Sequence, residues 1–386
     1  MERLRVGLFN DSFPPYIDGV IQVVKNYAEA LQQKHCDVTV VTPDHPEADD
    51  HFPYDVLRYP SYSIGKRIGY RMGNPFSPKA VRTLRDKQFD LLHVHAPFIS
   101  STIAARCNKG HRLPVVVTYH TKFEIDIAKR TKGIPFAKTV STAFVRHNLK
   151  QADEIWTVSQ GCGESLRNIG YEGEYRVMPN GTDFPYGRAD EAAQNALRER
   201  LGLRGDEFLF LFVGRMMWYK GLRLILDTLQ RLKQQGMPFR AVMIGGGYDL
   251  PAIRAYSEQL GLDDRVQFTG PMYDRGALRV YYSITDIFLF PSTYDTSGLV
   301  VREAAACDCP SMLVRGSCPA EGISDGVNGF LVQEDADDCA RVLMQACADR
   351  GRLAQIGAAA GKQLYLSWDA AVDRAYARYR EILENW

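Results

Sequence analysis

Short apolar runs separated by helix-length segments recur along the chain. In the first half the runs are Leu4 to Phe9, Asp37 to Thr42, Leu91 to His95, Val115 to Tyr119 and Glu154 to Val158. Each predicts a strand, and the segments between most of them predict helices. A turn-rich stretch, Val177-Met178-Pro179-Asn180-Gly181-Thr182-Asp183, interrupts the pattern. The alternation then restarts with Phe208 to Val213, Ala241 to Ile244, Val266 to Thr269, Ile287 to Phe290 and Ser311 to Val314. Strands alternating with helices form parallel sheets covered on both faces, so an α/β fold of two doubly wound, Rossmann-like domains is expected. The domains are placed at residues 1–185 and 186–366. The last segment, 367–386, has helical period with Ala, Tyr, Ile and Leu on one face.

Length supports two domains, because 386 residues exceed the size at which a single core usually stops growing. An apolar content of 45% with 24% charged residues excludes disordered and fibrous classes. No run approaches the 18 or so apolar residues of a membrane-spanning helix. Met1 to Asn10 reads as a first strand and not as a signal peptide, so a cytoplasmic location is expected. Eight cysteines are scattered without a Cys-x-x-Cys pair, which predicts reduced, structural thiols. Cys307 and Cys309 are read as small packing residues at a helix end.

Charge changes the picture more than composition does. The net charge of +1 conceals a segment, residues 58–150, with 18 basic and 4 acidic side chains. Such an excess attracts phosphate groups, nucleic acid or an anionic membrane surface. Within it, Ile125 to Lys150 interleaves Ile127, Ile134, Phe136, Val140 and Phe144 with Lys129, Arg130, Lys132, Lys138 and Arg146, as an interfacial amphipathic helix would. An ordinary solvated face with a buried stripe is the plainer alternative. The breadth of the excess favours reversible attachment to a membrane.

The densest chemistry lies in residues 291–310. Asp295 and Glu303 flank a helix start at Ser297-Gly298, where unpaired N–H groups and the positive end of the helix dipole suit a diphosphate. A capped helix with incidental acids would explain the Ser-Gly start but not the paired acids beside the small residues Ala304 to Ala306. Upstream, Val213-Gly214-Arg215 ends a strand and Lys220-Gly221 opens the next helix. Two cations are thus held at a strand's carboxyl end, a planar fork and a mobile point charge for phosphate oxygens. Gly245-Gly246-Gly247 lacks the full G-x-G-x-x-G spacing and reads as a tight strand-to-helix turn. Gly19, between the first strand and first helix, would permit close approach of backbone to donor phosphate or an acceptor, and a plain helix entry stiffened by Pro14-Pro15 accounts for the same residues equally well.

Asp295 to Glu303 resembles the E-x7-E segment of the retaining glycosyltransferases of family 4 (GT4), with Asp where that family usually has Glu. Gly214-Arg215 to Lys220-Gly221 is similar to its G-R-x4-K-G pattern, and His120 in Thr118-Tyr119-His120-Thr121 to its strand-end histidine. The resemblance covers almost the whole chain. It implies the GT-B fold, two Rossmann-like domains facing across a cleft, with segment 367–386 crossing back onto the first domain. It also implies a nucleotide-sugar donor. Glu303 would then accept from the ribose hydroxyls, Asp295 and His120 would face the sugar, and backbone N–H groups of Ser297, Gly298 and Leu299 would hold phosphates and sugar. Gly19, Gly214, Arg215 and Lys220 complete the implied donor site. Asp295, His120, Arg215 and Lys220 are the implied catalytic residues. No metal or other cofactor is implied. His93 and His95 are read as core or cleft-lining residues, since no third metal ligand accompanies them.

No second carboxylate is visible as a nucleophile, unlike in retaining glycosidases, and the family resemblance implies retention by front-face attack, in which the leaving phosphate helps deprotonate the incoming hydroxyl. The chain's start (Val6 to Pro15), its Thr118-Tyr119-His120-Thr121 stretch and its Ser297 to Glu303 block look like those of bacterial 1,2-diacylglycerol 3-alpha-glucosyltransferases. That implies glucose from UDP-glucose and a membrane lipid acceptor at the inner leaflet. Alternatives are transfer to a soluble or polysaccharide acceptor, a sugar-nucleotide epimerase on the same architecture, or a non-catalytic module binding anions or nucleic acid. No nucleic-acid motif is present, and nucleic acid is not expected as a partner.

Overall fold

A computed structural model describes residues 3–16, 18–34, 36–63, 71–122 and 135–386. The chain divides into two compact units, Met1–Asn180 with Trp368–Trp386, and Gly181–Ser367. In the first unit the strands are β1 (Leu4–Phe9), β2 (Cys36–Pro43), β3 (Asp55–Tyr59), β4 (Ser61–Ser63), β5 (Arg71–Gly73), β6 (Leu91–Val94), β7 (Val115–Tyr119), β8 (Glu154–Thr157) and β9 (Arg176–Val177). Seven of them form a sheet in the order β3-β2-β1-β6-β7-β8-β9, and its pairs are parallel. The strands β4 and β5 form a small antiparallel pair. Val6, Leu8, Phe9, Leu92, Val94, Val116 and Val117 are all buried, as strands covered on both faces require.

The second unit repeats the architecture with β10 (Phe208–Val213), β11 (Phe239–Ile244), β12 (Val266–Gly270), β13 (Ile287–Leu289), β14 (Ser311–Val314) and β15 (Phe330–Val332). Its parallel sheet runs β12-β11-β10-β13-β14-β15. In both sheets the order reverses beside the first strand, between β1 and β6 and between β10 and β13. Such switch points open a crevice at the carboxyl ends of the strands, where α/β proteins bind ligands. The segments bearing His95, Lys220 and Asp295 all follow strands at these two points.

The terminal helix Trp368–Glu384 belongs to the first unit. Its Tyr379 stacks on Trp156 with ring centroids 5.4 Å apart, and Arg378 pairs with Glu154. The eight cysteines are buried and unpaired, and burial raises the thiols of Cys36, Cys107, Cys307, Cys309, Cys339 and Cys347. None forms a disulfide. Among the described residues, no helix is long and apolar enough to cross a membrane.

Candidate active site

The Gly181–Ser367 unit carries Gly214, Arg215, Lys220, Asp295, Ser297, Gly298, Leu299 and Glu303, while Gly19 and His120 lie in the other unit. After β10 the chain turns through Gly214 and an exposed Arg215 into a single helical turn, Trp218–Lys220. Gly221 then takes a left-handed conformation (φ 79°) and starts the helix Leu222–Gln234. This turn buries Lys220 to 7% exposure. Its ammonium lies 5.5 Å from the ring centre of Tyr219 and 5.9 Å from that of Phe290.

Lys220 Nζ donates to Asp295 Oδ1 at 2.5 Å, which joins the two motifs. The other carboxylate oxygen, Asp295 Oδ2, is buried with no hydrogen-bond partner. An acceptor left in that state costs about 1–3 kcal/mol, which a ligand or water hydrogen bond to it would offset. Three residues later Gly298, left-handed at φ 59°, opens the helix Leu299–Ala306. A Cβ there would lie 2.9 Å from Pro319 Cβ, so glycine is required by space as well as by conformation.

Glu303 sits on the buried face of that helix. One oxygen accepts from Arg275 Nη2 at 2.8 Å and the other from the Tyr282 hydroxyl at 3.0 Å. Arg275 also grips Asp183, so one guanidinium links two carboxylates. Burial raises the Glu303 carboxyl above its ordinary range, and Arg275 opposes the rise. Arg275, Tyr282 and Asp183 were not singled out from sequence. Arg275 and Tyr282 lie on the helix Arg275–Ile284, which shares no local motif with Glu303.

The glycine cluster after β11 is explained by packing. A Cβ on Gly245 would fall 1.9 Å from the Gly214 carbonyl oxygen, and one on Gly247 would fall 2.4 Å from that of Met216. These glycines let the β11 turn lie against the Gly214–Met216 loop.

In the first unit, Gly19 is the exposed first residue of the helix Gly19–Lys34. His120 follows β7, and its Nε2 lies 3.0 Å from His95 Nδ1. Burial lowers the His120 imidazole to about 3, so it is neutral at ordinary pH. Sequence reading also missed Asp11 after β1. It accepts the Ser100 N–H at 2.7 Å, and burial raises its carboxyl to about 7. Among the described residues, no group of three or more His, Cys, Asp or Glu side chains could hold a metal ion.

The basic segment is only partly described. Lys66, Arg67, Ile125, Ile127, Lys129, Arg130, Lys132 and Ile134 lie outside the described residues. Residues Pro135–Leu149 form a helix, and Phe136, Val140 and Phe144 are 78%, 51% and 36% exposed. Their four-residue spacing puts the three on one face.

Two parallel, doubly wound units, with acids and a lysine gathered after the first and fourth strands of the second sheet, define a glycosyltransferase of the GT-B fold. Solved structures agree on the fold. Anabaena HepE, in a complex with UDP and glucose, is 20% identical with a TM-score of 0.76, over 98% of this chain and 99% of that one. Sucrose-phosphate synthase from Thermosynechococcus elongatus is 20% identical with a TM-score of 0.80, over the whole of both chains. The model for Glycosyltransferase Family 4 matches residues 17–184, and that for Glycosyl transferases group 1 matches 193–363. The chain belongs to the family 4 glycosyltransferases. Its relatives include alpha-monoglucosyldiacylglycerol synthase of Acholeplasma laidlawii, 25% identical over 86% of each chain. They also include D-inositol 3-phosphate glycosyltransferase of Xylanimonas cellulosilytica, 30% identical over 73% of this chain and 70% of the relative.

Proposed function

We propose that this glycosyltransferase moves glucose from UDP-glucose onto diacylglycerol, with retention of configuration, while attached to the inner leaflet of the membrane. The buried, unpartnered Asp295 Oδ2 carries the donor-site reading. It is an acceptor in want of a donor, which a hydroxyl of the sugar supplies. Lys220, held beside it, and Arg215 neutralise the diphosphate as its charge grows on departure. The N–H groups at Ser297, Gly298 and Leu299 and the helix dipole add to that effect. Glu303, oriented by Arg275 and Tyr282, accepts from the ribose hydroxyls, and His120 contacts the sugar.

The sugar C1–O bond to phosphate breaks as the bond from C1 to the acceptor oxygen forms on the same face. The acceptor's proton passes to the leaving phosphate oxygen. These cations carry the charge that a metal would otherwise neutralise, so no metal or other cofactor is needed.

The acceptor reading rests on the likeness to alpha-monoglucosyldiacylglycerol synthase of Acholeplasma laidlawii and on the exposed Phe136, Val140 and Phe144. These side chains insert into the interface while cations of residues 58–150 face anionic headgroups. A soluble acceptor is the second reading, favoured by the inositol phosphate relative. To test both, labelled UDP-glucose, UDP-galactose, UDP-N-acetylglucosamine and GDP-mannose are offered with diacylglycerol in anionic vesicles or with inositol phosphate. Lipid-extractable label from UDP-glucose alone is expected. Transfer only to the soluble acceptor overturns the lipid reading.

A further inference from the structure

Three histidines that follow or lie within neighbouring strands form a buried row in the first unit. His93 is held at both nitrogens, 2.5 Å from the Tyr379 hydroxyl and 2.6 Å from Thr118 Oγ1. His95 packs on it with ring centroids 4.0 Å apart, and Tyr27 meets His95 edge-on at 5.4 Å. His95 and His120 are stacked at 5.3 Å and share the Nδ1–Nε2 contact of 3.0 Å. The helix Trp368–Glu384 thus braces the row from one end through Tyr379, and His120 closes the other.

We propose that His95 is a positioning residue for His120: its Nδ1–H donates to His120 Nε2, which fixes the plane of that ring and confines its proton to Nδ1. Burial keeps all three imidazoles well below their ordinary range, so each is neutral with one N–H. One ring of the His95–His120 pair must therefore donate and the other accept. His95 Nε2 is buried with no hydrogen-bond partner. If His120 donated, the His95 proton would sit on Nε2 as an orphaned N–H, stripped of water with no acceptor in return. If His95 donates, a lone pair occupies that place, and under-used acceptors are tolerated better than orphaned donors.

The consequence rests on the reading of His120 as a contact to the donor sugar. With its plane and tautomer fixed, a neutral His120 presents its Nδ1 edge to the sugar in one orientation. It needs no reorientation when the sugar arrives.

The test compares His95→Asn, His95→Gln and His95→Leu. The amide nitrogen of Asn takes the place of imidazole Nδ1, whereas that of Gln takes the place of Nε2, which has no partner here. Long-range proton–nitrogen spectra of the histidine-labelled protein report each tautomer, with His120 assigned by the signal lost in His120→Gln. His120 is expected as the Nδ1–H tautomer in the wild type and in His95→Asn, and as a mixture in the Gln and Leu variants. Transfer should follow, with kcat/KM roughly retained in His95→Asn and reduced about tenfold or more in the other two. An Nε2–H tautomer in the wild type, or an unchanged Nδ1–H tautomer in His95→Leu, overturns the proposal. The spectra require no substrate, so failure of the proposed reaction is read separately as absent transfer in a wild type whose His120 tautomer is as expected.

Discussion

Lys220 Nζ donates to Asp295 Oδ1 across 2.5 Å and so joins two residues 75 positions apart at the carboxyl ends of β10 and β13. Both side chains are largely withdrawn from water, with 9% and 22% of their surface exposed. Removing one member of such a pair leaves the other charge uncompensated, at a cost of about 3–5 kcal/mol when fully buried and less here. Lys220→Met and Asp295→Asn should each destabilise the protein, and the double variant should recover about 1–2 kcal/mol of the summed loss. Urea unfolding of the four proteins measures this coupling. Additive losses would show that the pair does not interact.

Glu303 depends on Arg275 in a different way, because the guanidinium is shared with Asp183. Arg275→Ala should leave Glu303 with only the Tyr282 hydroxyl and weaken UDP binding about tenfold or more, or about 1.4 kcal/mol. Tyr282→Phe removes one hydrogen bond to a charged group and should cost about 1.5–3 kcal/mol of stability. Calorimetric titration with UDP checks the first expectation and thermal unfolding the second. Wild-type UDP affinity in Arg275→Ala would remove Arg275 from the donor site.

The strand pattern made most of both sheets legible. Leu4–Phe9, Val115–Tyr119 and Phe208–Val213 are strands over the whole of the apolar runs that predict them. The strands β3, β9 and β15 were not legible. The strand β9 has only two residues, and β3 is an edge strand whose Asp55-Val-Leu-Arg58 carries charges at both ends. The acid segment was legible because a strand, a turn and a helix place its groups within one stretch of chain. Its partners were not. Lys220 meets Asp295 only through the crossover order of the sheet, and Arg275 reaches Glu303 from a separate helix. The His95–His120 contact likewise depends on β6 and β7 lying side by side.

Asp11 gives the first unit a pH dependence. Burial raises its carboxyl from 3.8 to about 7, so between those values the native state holds a proton that the unfolded chain has released. The stability it contributes is fully present below pH 3.8 and is lost as pH rises through about 7. Asp11→Asn stays neutral and keeps an oxygen for the Ser100 N–H. Relative to the wild type it should therefore gain stability from pH 5 to pH 8. Urea unfolding at the two values measures the change, and an equal difference at both would contradict it.

Phe136, Val140 and Phe144 bear on the membrane reading alone. Their exposed area, if inserted, is worth about 3 kcal/mol in total at roughly 1.5–3 kcal/mol per fully buried large side chain. Replacing Phe136 and Val140 with serine should lower binding to anionic vesicles more than tenfold with little effect on thermal unfolding, whereas Phe144→Ser, whose ring also packs near Phe98, should lower stability as well. Vesicle sedimentation measures this. Undiminished binding would show that the helix Pro135–Leu149 does not carry the attachment.

Transfer itself is the most direct test. Wild type, Lys220→Ala and Glu303→Ala are compared for label moved from UDP-glucose to diacylglycerol in anionic vesicles, with the anomeric configuration of the glycolipid determined. The wild type should form an α-linked glucolipid, and each variant should turn over about tenfold more slowly or worse. A wild type that only epimerises the nucleotide sugar, or variants that transfer at the wild-type rate, would contradict the account.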